Sequence, residues 1–268
     1  LYIEEKDMRI VIKVGTSTLT HATGRVNIRR ITALCRVLSD LKNAGHELLL
    51  VSSGAIGMGV GKLSLPGRPD DMPTKQAAAA VGQCELMYTY DKLFGEYNHV
   101  VAQLLLTGAD IEDAERLQNF HNTLERLLQL GALPIINEND TIATHEIAVG
   151  DNDTLASIVA TAAGADLLVL LSDIDGLFTA DPHTHPEAEL IPVVEEVTPE
   201  IRALAGCAGS ALGTGGMVTK LNAAARCNAA GIDMIVANGA DPELLYGLLD
   251  GKRFGTRFLA SAAAHKAL

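Results

Sequence analysis

The residues best suited to chemistry are two lysines and several short polar clusters, each following an apolar run. Lys13 interrupts the run Arg9-Ile10-Val11-Ile12-Lys13-Val14, which ends at Gly15-Thr16-Ser17. A cation inside such a run is costly unless its head leaves the core or meets a partner. Snorkelling at a strand end is one solution. The other is a cation at the carboxyl edge of a parallel sheet, where open α/β folds bind ligands. Lys220 closes the stretch Gly213-Thr214-Gly215-Gly216-Met217-Val218-Thr219-Lys220, which runs into an alanine-rich helical pattern, Leu221 to Ala230. Thr214 is the candidate N-cap. Glycines leave backbone N–H groups bare at a helix start, and the helix dipole favours an anion there. The stretch therefore suits the phosphates of a nucleotide; the bland alternative is a loop with a solvated lysine.

Further polar clusters repeat the arrangement. Ser52-Ser53-Gly54-Ala55 follows the apolar Glu47 to Val51, and its hydroxyls and bare N–H groups suit a carboxylate. Asn137-Glu138-Asn139-Asp140 follows Leu133 to Ile136, where four polar side chains are costly unless they face water or a polar ligand. Gly150-Asp151-Asn152-Asp153 opens a helical pattern, Thr154 to Ala163. Capping is the default role for Asp151 and Asp153. Two such clusters a dozen residues apart nevertheless suggest more than caps. Ser172-Asp173 follows Asp166 to Leu171. His183 and His185 read as loop histidines rather than metal ligands, with no further partner in reach.

Between these clusters the chain alternates strand-like and helical periods. Helices are expected over Asn27 to Ala44, Thr74 to Tyr97, Ala114 to Leu130, Thr198 to Leu204 and Pro242 to Leu249. Further strands are expected at Val100 to Leu106, Met234 to Ala237 and Thr256 to Leu259, with Thr107 to Asp113 a polar connection. Alternation of this kind predicts an α/β fold with a mostly parallel sheet covered on both faces, and every polar cluster then lies at one sheet edge. Gly57-x-Gly59-x-Gly61-Lys62 matches neither a dinucleotide fingerprint nor a Walker A loop, so close packing of a helix start is its simplest reading.

The bulk properties fit. The chain has 268 residues, 48% hydrophobic and 20% charged, which describes a globular α/β protein with a large core. Its formal net charge of -12 argues against a nucleic-acid binder. Cys35, Cys84, Cys207 and Cys227 form no C-x-x-C pair, so a reducing cytoplasm is expected. No apolar run approaches the length of a membrane span. Leu1 to Asp7 is charged and lacks a signal-peptide core; the two readings are a native start and an extension upstream of Met8.

Six segments together resemble the amino acid kinase family: IKVGTS (Ile12 to Ser17), VSSGAI (Val51 to Ile56), INENDTIA (Ile136 to Ala143), VGDNDTLAS (Val149 to Ser157), LLSDIDGLFTADP (Leu170 to Pro182) and GTGGMVTK (Gly213 to Lys220). They occur in family order and span nearly all of Arg9 to Phe258. The INEND and GDND pair resembles the glutamate-phosphorylating branch rather than the acetylglutamate, aspartate, carbamate or uridylate kinases. The resemblance implies a three-layer αβα sandwich. It also implies transfer of the γ-phosphoryl of ATP, with Mg²⁺, to the side-chain carboxylate of L-glutamate, the first step of proline synthesis.

Matched motif by motif, Lys13 would touch the ATP phosphates, and Ser53, Asp140 and Asn152 would hold glutamate, with Gly54 and Asn137 as neighbours. Ser172 and Asp173 would contact the nucleotide, and Thr214, Gly215, Gly216, Met217, Val218, Thr219 and Lys220 would cradle its phosphates. Asp153 would orient the two lysines. No protein metal site is implied, since Mg²⁺ would be held mainly by ATP. The amino-acid part would cover about 9–165 and the nucleotide part about 166–260. Homo-oligomerisation, feedback by L-proline and coupling to glutamyl phosphate reductase are implied by the resemblance alone. The chain would be a short form lacking the small RNA-binding-like PUA-type module that many relatives carry after the kinase domain. The competing readings are another acyl-phosphate-forming kinase of the family and a non-catalytic amino-acid sensor. A nicotinamide dehydrogenase is disfavoured because no glycine fingerprint follows the first strand.

Overall fold

The computed structural model describes residues 7–21, 23–143, 151–182, 184–205 and 216–261. Strands β1 (Arg9–Val14), β2 (Glu47–Ser52), β3 (Val101–Leu106), β4 (Leu133–Glu138), β5 (Leu167–Ser172), β6 (Val193–Val194), β7 (Asp233–Asn238) and β8 (Thr256–Phe258) form one sheet in the order β3-β4-β2-β1-β5-β7-β8-β6. Neighbours from β3 to β7 pair in parallel, and β8 runs antiparallel to β7. The carboxyl ends of β1 to β5 and β7 therefore share one edge, as the alternation predicts. The strand order reverses between β1 and β5, the place where open α/β sheets hold their ligand crevice.

Helices cover both faces: α1 (Thr16–Leu19), α2 (Ile28–Asn43), α3 (Ala55–Lys62), α4 (Met72–Gly95), α5 (Gly108–Glu112), α6 (Ala114–Gln129), α7 (Asn152–Ala162), α8 (Pro199–Ala205), α9 (Met217–Ala229) and α10 (Gly247–Asp250). A 3₁₀ turn, Pro242–Tyr246, precedes α10, where one continuous helix was expected. The two-residue pitch of the strands sorts their side chains between two cores. Val11, Leu49, Val51, Leu168 and Leu170 pack with α6, α7 and α9. Ile10, Ile12, Leu48, Leu50 and Val169 pack with α2, α3 and α4. This is the αβα sandwich.

The glycines of α3 serve close packing. A Cβ at Gly59 would lie 1.8 Å from the Ala78 carbonyl oxygen, and one at Gly82 would lie 1.7 Å from that of Ala55. Helices α3 and α4 thus meet backbone to backbone, with alanines lining α4. The expected polar connection at Thr107 to Asp113 instead contains α5. Its capping box has Asp110 N–H donating to Thr107 Oγ1 while Asp110 Oδ2 accepts from Thr107 N–H.

Candidate active site

The two lysines converge on one carboxylate. Lys13 shares its strand face with Val11, so it points toward α7. Lys220 lies in the first turn of α9, three residues after Met217, which packs in the same core. Lys13 Nζ is 2.6 Å from Asp153 Oδ1, and Lys220 Nζ donates to Asp153 Oδ2 at 3.1 Å. All three are buried, Asp153 to 1% exposure. Burial alone would raise the Asp153 pKa; the charges of Lys13 and Lys220 outweigh it and hold the carboxyl below its usual range. Thr219 Oγ1 lies 3.0 Å from Asp153 Oδ2 and 2.7 Å from Gly216 O.

Asp151 and Asp153 divide the roles expected of caps. Asp151 is the N-cap of α7, and its Oδ1 accepts from the N–H groups of Asp153 and Thr154, both at 2.8 Å. The Asp153 side chain caps nothing; it takes the lysines instead. Asn152, between them, faces the other side of the crevice. Its Nδ2 donates to Ser53 Oγ at 2.7 Å and to Asn137 Oδ1 at 3.0 Å. The start of α7 therefore joins the lysine pair to the polar ends of β2 and β4 through consecutive residues.

Those ends continue the network. Ser52 points toward α4, and its hydroxyl meets buried Tyr90 at 2.8 Å. Gly54 adopts φ +104° at the N-cap of α3, a conformation that disfavours a side chain. Asn137 Nδ2 donates to Gln83 Oε1 at 3.0 Å, and Asn137 Oδ1 accepts from Glu138 N–H at 2.9 Å. Asp140 is half-buried in a small cleft that Ala55, Gln83, Leu105, Glu138 and Thr141 also line. Burial, then the charge of Glu138, push its pKa up to about 6 against the opposing pull of Arg68.

On the far side of β1, Ser172 Oγ donates to Asp173 Oδ1 at 3.0 Å, and Asp173 is exposed. Thr214 and Gly215 lie outside the described residues. The N-cap of α9 is Gly216, where Thr214 was expected. Met217 packs into the core, leaving only its backbone at the helix start, while Val218 is exposed. Among the described residues, no three His, Cys, Asp or Glu side chains cluster as a metal site. Gln83 was missed from sequence; its only signal is an amide among the alanines of α4.

The amino acid kinase family model matches residues 8–238, and the chain belongs to that family. Within it, the chain is 54% identical to a glutamate 5-kinase of Clostridium perfringens, over 94% of this chain and 95% of that one. It is 53% identical to a glutamate 5-kinase of Moorella thermoacetica, covering 94% of this chain and 66% of that longer one. Among solved structures, a carbamate kinase from Giardia lamblia bound to AMP-PNP superposes with a TM-score of 0.68 at 17% identity, covering 95% and 99% of the two chains. A UMP kinase from Ureaplasma parvum gives 0.66 at 15% identity with the same coverage. These two structural likenesses bear on the fold.

Proposed function

We propose that this chain transfers the γ-phosphoryl group of MgATP to the side-chain carboxylate of L-glutamate, giving L-glutamyl 5-phosphate, the first step of proline biosynthesis. The identity of about half its residues with glutamate 5-kinases, over nearly its whole length, supports the substrate. The observation that carries the mechanism is the convergence of Lys13 and Lys220 on Asp153 at the crevice.

The attacking carboxylate is already ionised at neutral pH, so the reaction needs no general base. Its obstacle is repulsion between two anions and charge spreading onto the transferred oxygens. Lys13 and Lys220 answer that charge, and Asp153 holds both ammonium groups in place beforehand, so little reorganisation is needed in the transition state. Ser53, Asn152 and Asn137 face the acceptor, with Gly54 giving the backbone its turn. Asp140 takes the substrate ammonium. The first turn of α9, with its backbone N–H groups and the stretch Thr214 to Lys220, faces the phosphates, and Ser172 and Asp173 face the nucleotide. Mg²⁺ enters with ATP as part of the substrate. The β1–β4 half would then hold the amino acid and the β5–β8 half the nucleotide. Feedback by L-proline, coupling to the reductase that consumes the acyl phosphate, self-association and a cytoplasmic location belong with the same proposal.

The test is a glutamate-dependent hydroxamate assay with MgATP, in which hydroxylamine traps the acyl phosphate, run beside a panel of other carboxylate acceptors. Hydroxamate formed from glutamate above all others supports the proposal. Preference for another acceptor, or ATP hydrolysis indifferent to any, would refute it.

A further inference from the structure

Among the described residues, Gln83 carries a buried donor with no partner. The residue is 8% exposed, and its Nε2 is buried without a hydrogen bond among the described residues. Such a group costs stability unless a ligand uses it.

Which end of the amide is free is fixed by the network. The Glu138 backbone N–H can only donate, so the Asn137 atom it meets at 2.9 Å is the carbonyl Oδ1. That places Asn137 Nδ2 against Gln83, and a donor there demands the Gln83 carbonyl, Oε1, at 3.0 Å. Gln83 Nε2 is then the remaining end, with two N–H groups to offer. Gln83 lines the cleft that also holds Asp140. The acceptors already there, Glu138 and Asp140, are protein carboxylates, yet neither is bonded to it.

Resting on the glutamate-kinase reading above, we infer that Gln83 is a specificity-determining residue whose Nε2 donates to the α-carboxylate of the amino-acid substrate. The α-carboxylate is the acceptor because it is bonded to the same carbon as the ammonium that Asp140 takes. The reacting side-chain carboxylate must lie several bonds away, toward Asn152 and the lysines. Gln83 thus reads the end of the substrate that does not react. The Asn137 relay ties this recognition to the start of α7.

The experiment compares wild type with Gln83→Glu and Gln83→Met in steady-state kinetics, with thermal melting of each as a fold control. Gln83→Glu keeps the acceptor for Asn137 and removes the donor; Gln83→Met keeps the shape and removes both. The KM for glutamate should rise at least ~10-fold in Gln83→Glu, the loss expected for a hydrogen bond to a charged group, with kcat within about threefold and KM for ATP unchanged. Isoglutamine, whose α-carboxylate is a carboxamide, should compete with glutamate no more weakly in Gln83→Glu than in wild type. A glutamate KM within about twofold of wild type in a folded Gln83→Glu overturns the assignment. So does an equal weakening of glutamate and isoglutamine, or a fall in kcat in proportion, which would make Gln83 only a support for Asn137. If Gln83→Glu fails to melt cooperatively, Gln83→Met decides by the same glutamate KM. A wild type that phosphorylates a different acceptor refutes the glutamate reading alone; the Gln83 arm is then scored on that acceptor and on its analogue lacking the non-reacting carboxylate.

Discussion

At the level of single residues, the proposed function separates groups that would stabilise charge in the transition state from groups that would hold the ground state. Lys13→Ala and Lys220→Ala should each lower kcat at least ~100-fold, the scale of removing one preorganised donor, about 3 kcal/mol. Turnover within threefold of wild type would remove that lysine from the chemistry. Asp140 behaves differently, because its charge is poised. Its pKa of about 6 in the free protein predicts that kcat/KM for glutamate falls as pH drops through about 6, since only the carboxylate takes an ammonium. The substrate's own side chain titrates lower, at about 4.3, so the two limbs separate. Asp140→Asn should abolish the upper limb and raise the KM for glutamate. A variant that keeps a limb near pH 6 would assign it to another group. The linkage has a definite sign. A raised folded-state pKa stabilises the protein below the unfolded value and loses that contribution as pH rises through about 6. Ligand-free Asp140→Asn should therefore melt higher than wild type at pH 8. For Asp153, whose pKa is lowered, the stabilising contribution lies above the ordinary carboxylate range and fades in acid.

At the level of elements, the proposed amino-acid side of the site rests on the close approach of α3 and α4. A Cβ at Gly82 would meet the Ala55 carbonyl oxygen at 1.7 Å, and backbone cannot step aside as a side chain can. Gly82→Ala should cost at least about 2 kcal/mol, seen as a lower urea midpoint at unchanged m. It should also raise the KM for glutamate, because Ala55 follows Ser53-Gly54 and Gln83 follows Gly82. An unchanged midpoint would mean that the helices separate freely. The same contact shows what sequence could and could not reveal. The edge on which the polar clusters gather was legible, because an apolar run ending in polar residues marks where a buried parallel strand emerges. Lys13 and Lys220 were legible as cations out of place. The close helix contact was legible only as glycines and alanines at small spacing. Spacing alone could not tell Asp153 from Asp151, since both stand at a helix start; the family resemblance singled out Asp153, and the fold brings both lysines to it. Gln83 was hidden because a lone amide in a long helix has no periodic signature, and its meaning comes from Asn137, 54 positions away. Helix α5 was missed although Thr107 and Asp110 spell a capping box, because five residues are too few to show a helical period.

At the level of the whole molecule, the proposed function uses the reversal of strand order between β1 and β5 to give the two substrates separate walls and a shared centre. Ser53, Asn137 and Asp140 come from the turn after β2, from β4 and from the turn beyond β4; Ser172 and Lys220 come from β5 and α9. Lys13 on β1 and the start of α7 stand where these halves meet, so each ligand should order its own wall and both should order the centre. Amide hydrogen exchange tests this in the intact chain. Glutamate alone should slow exchange around Ser53 to Ala55 and Asn137 to Asp140. A non-hydrolysable ATP analogue with Mg²⁺ should slow it at Ser172-Asp173 and in the first turn of α9. Either ligand should protect Asn152 and Asp153, and the two together should protect them more than the sum, because ordering by the first lowers the cost of binding the second. Protection by glutamate at α9 with none near Ser53 would mean that the walls are assigned the wrong way round, whatever the kinetics of the lysine variants.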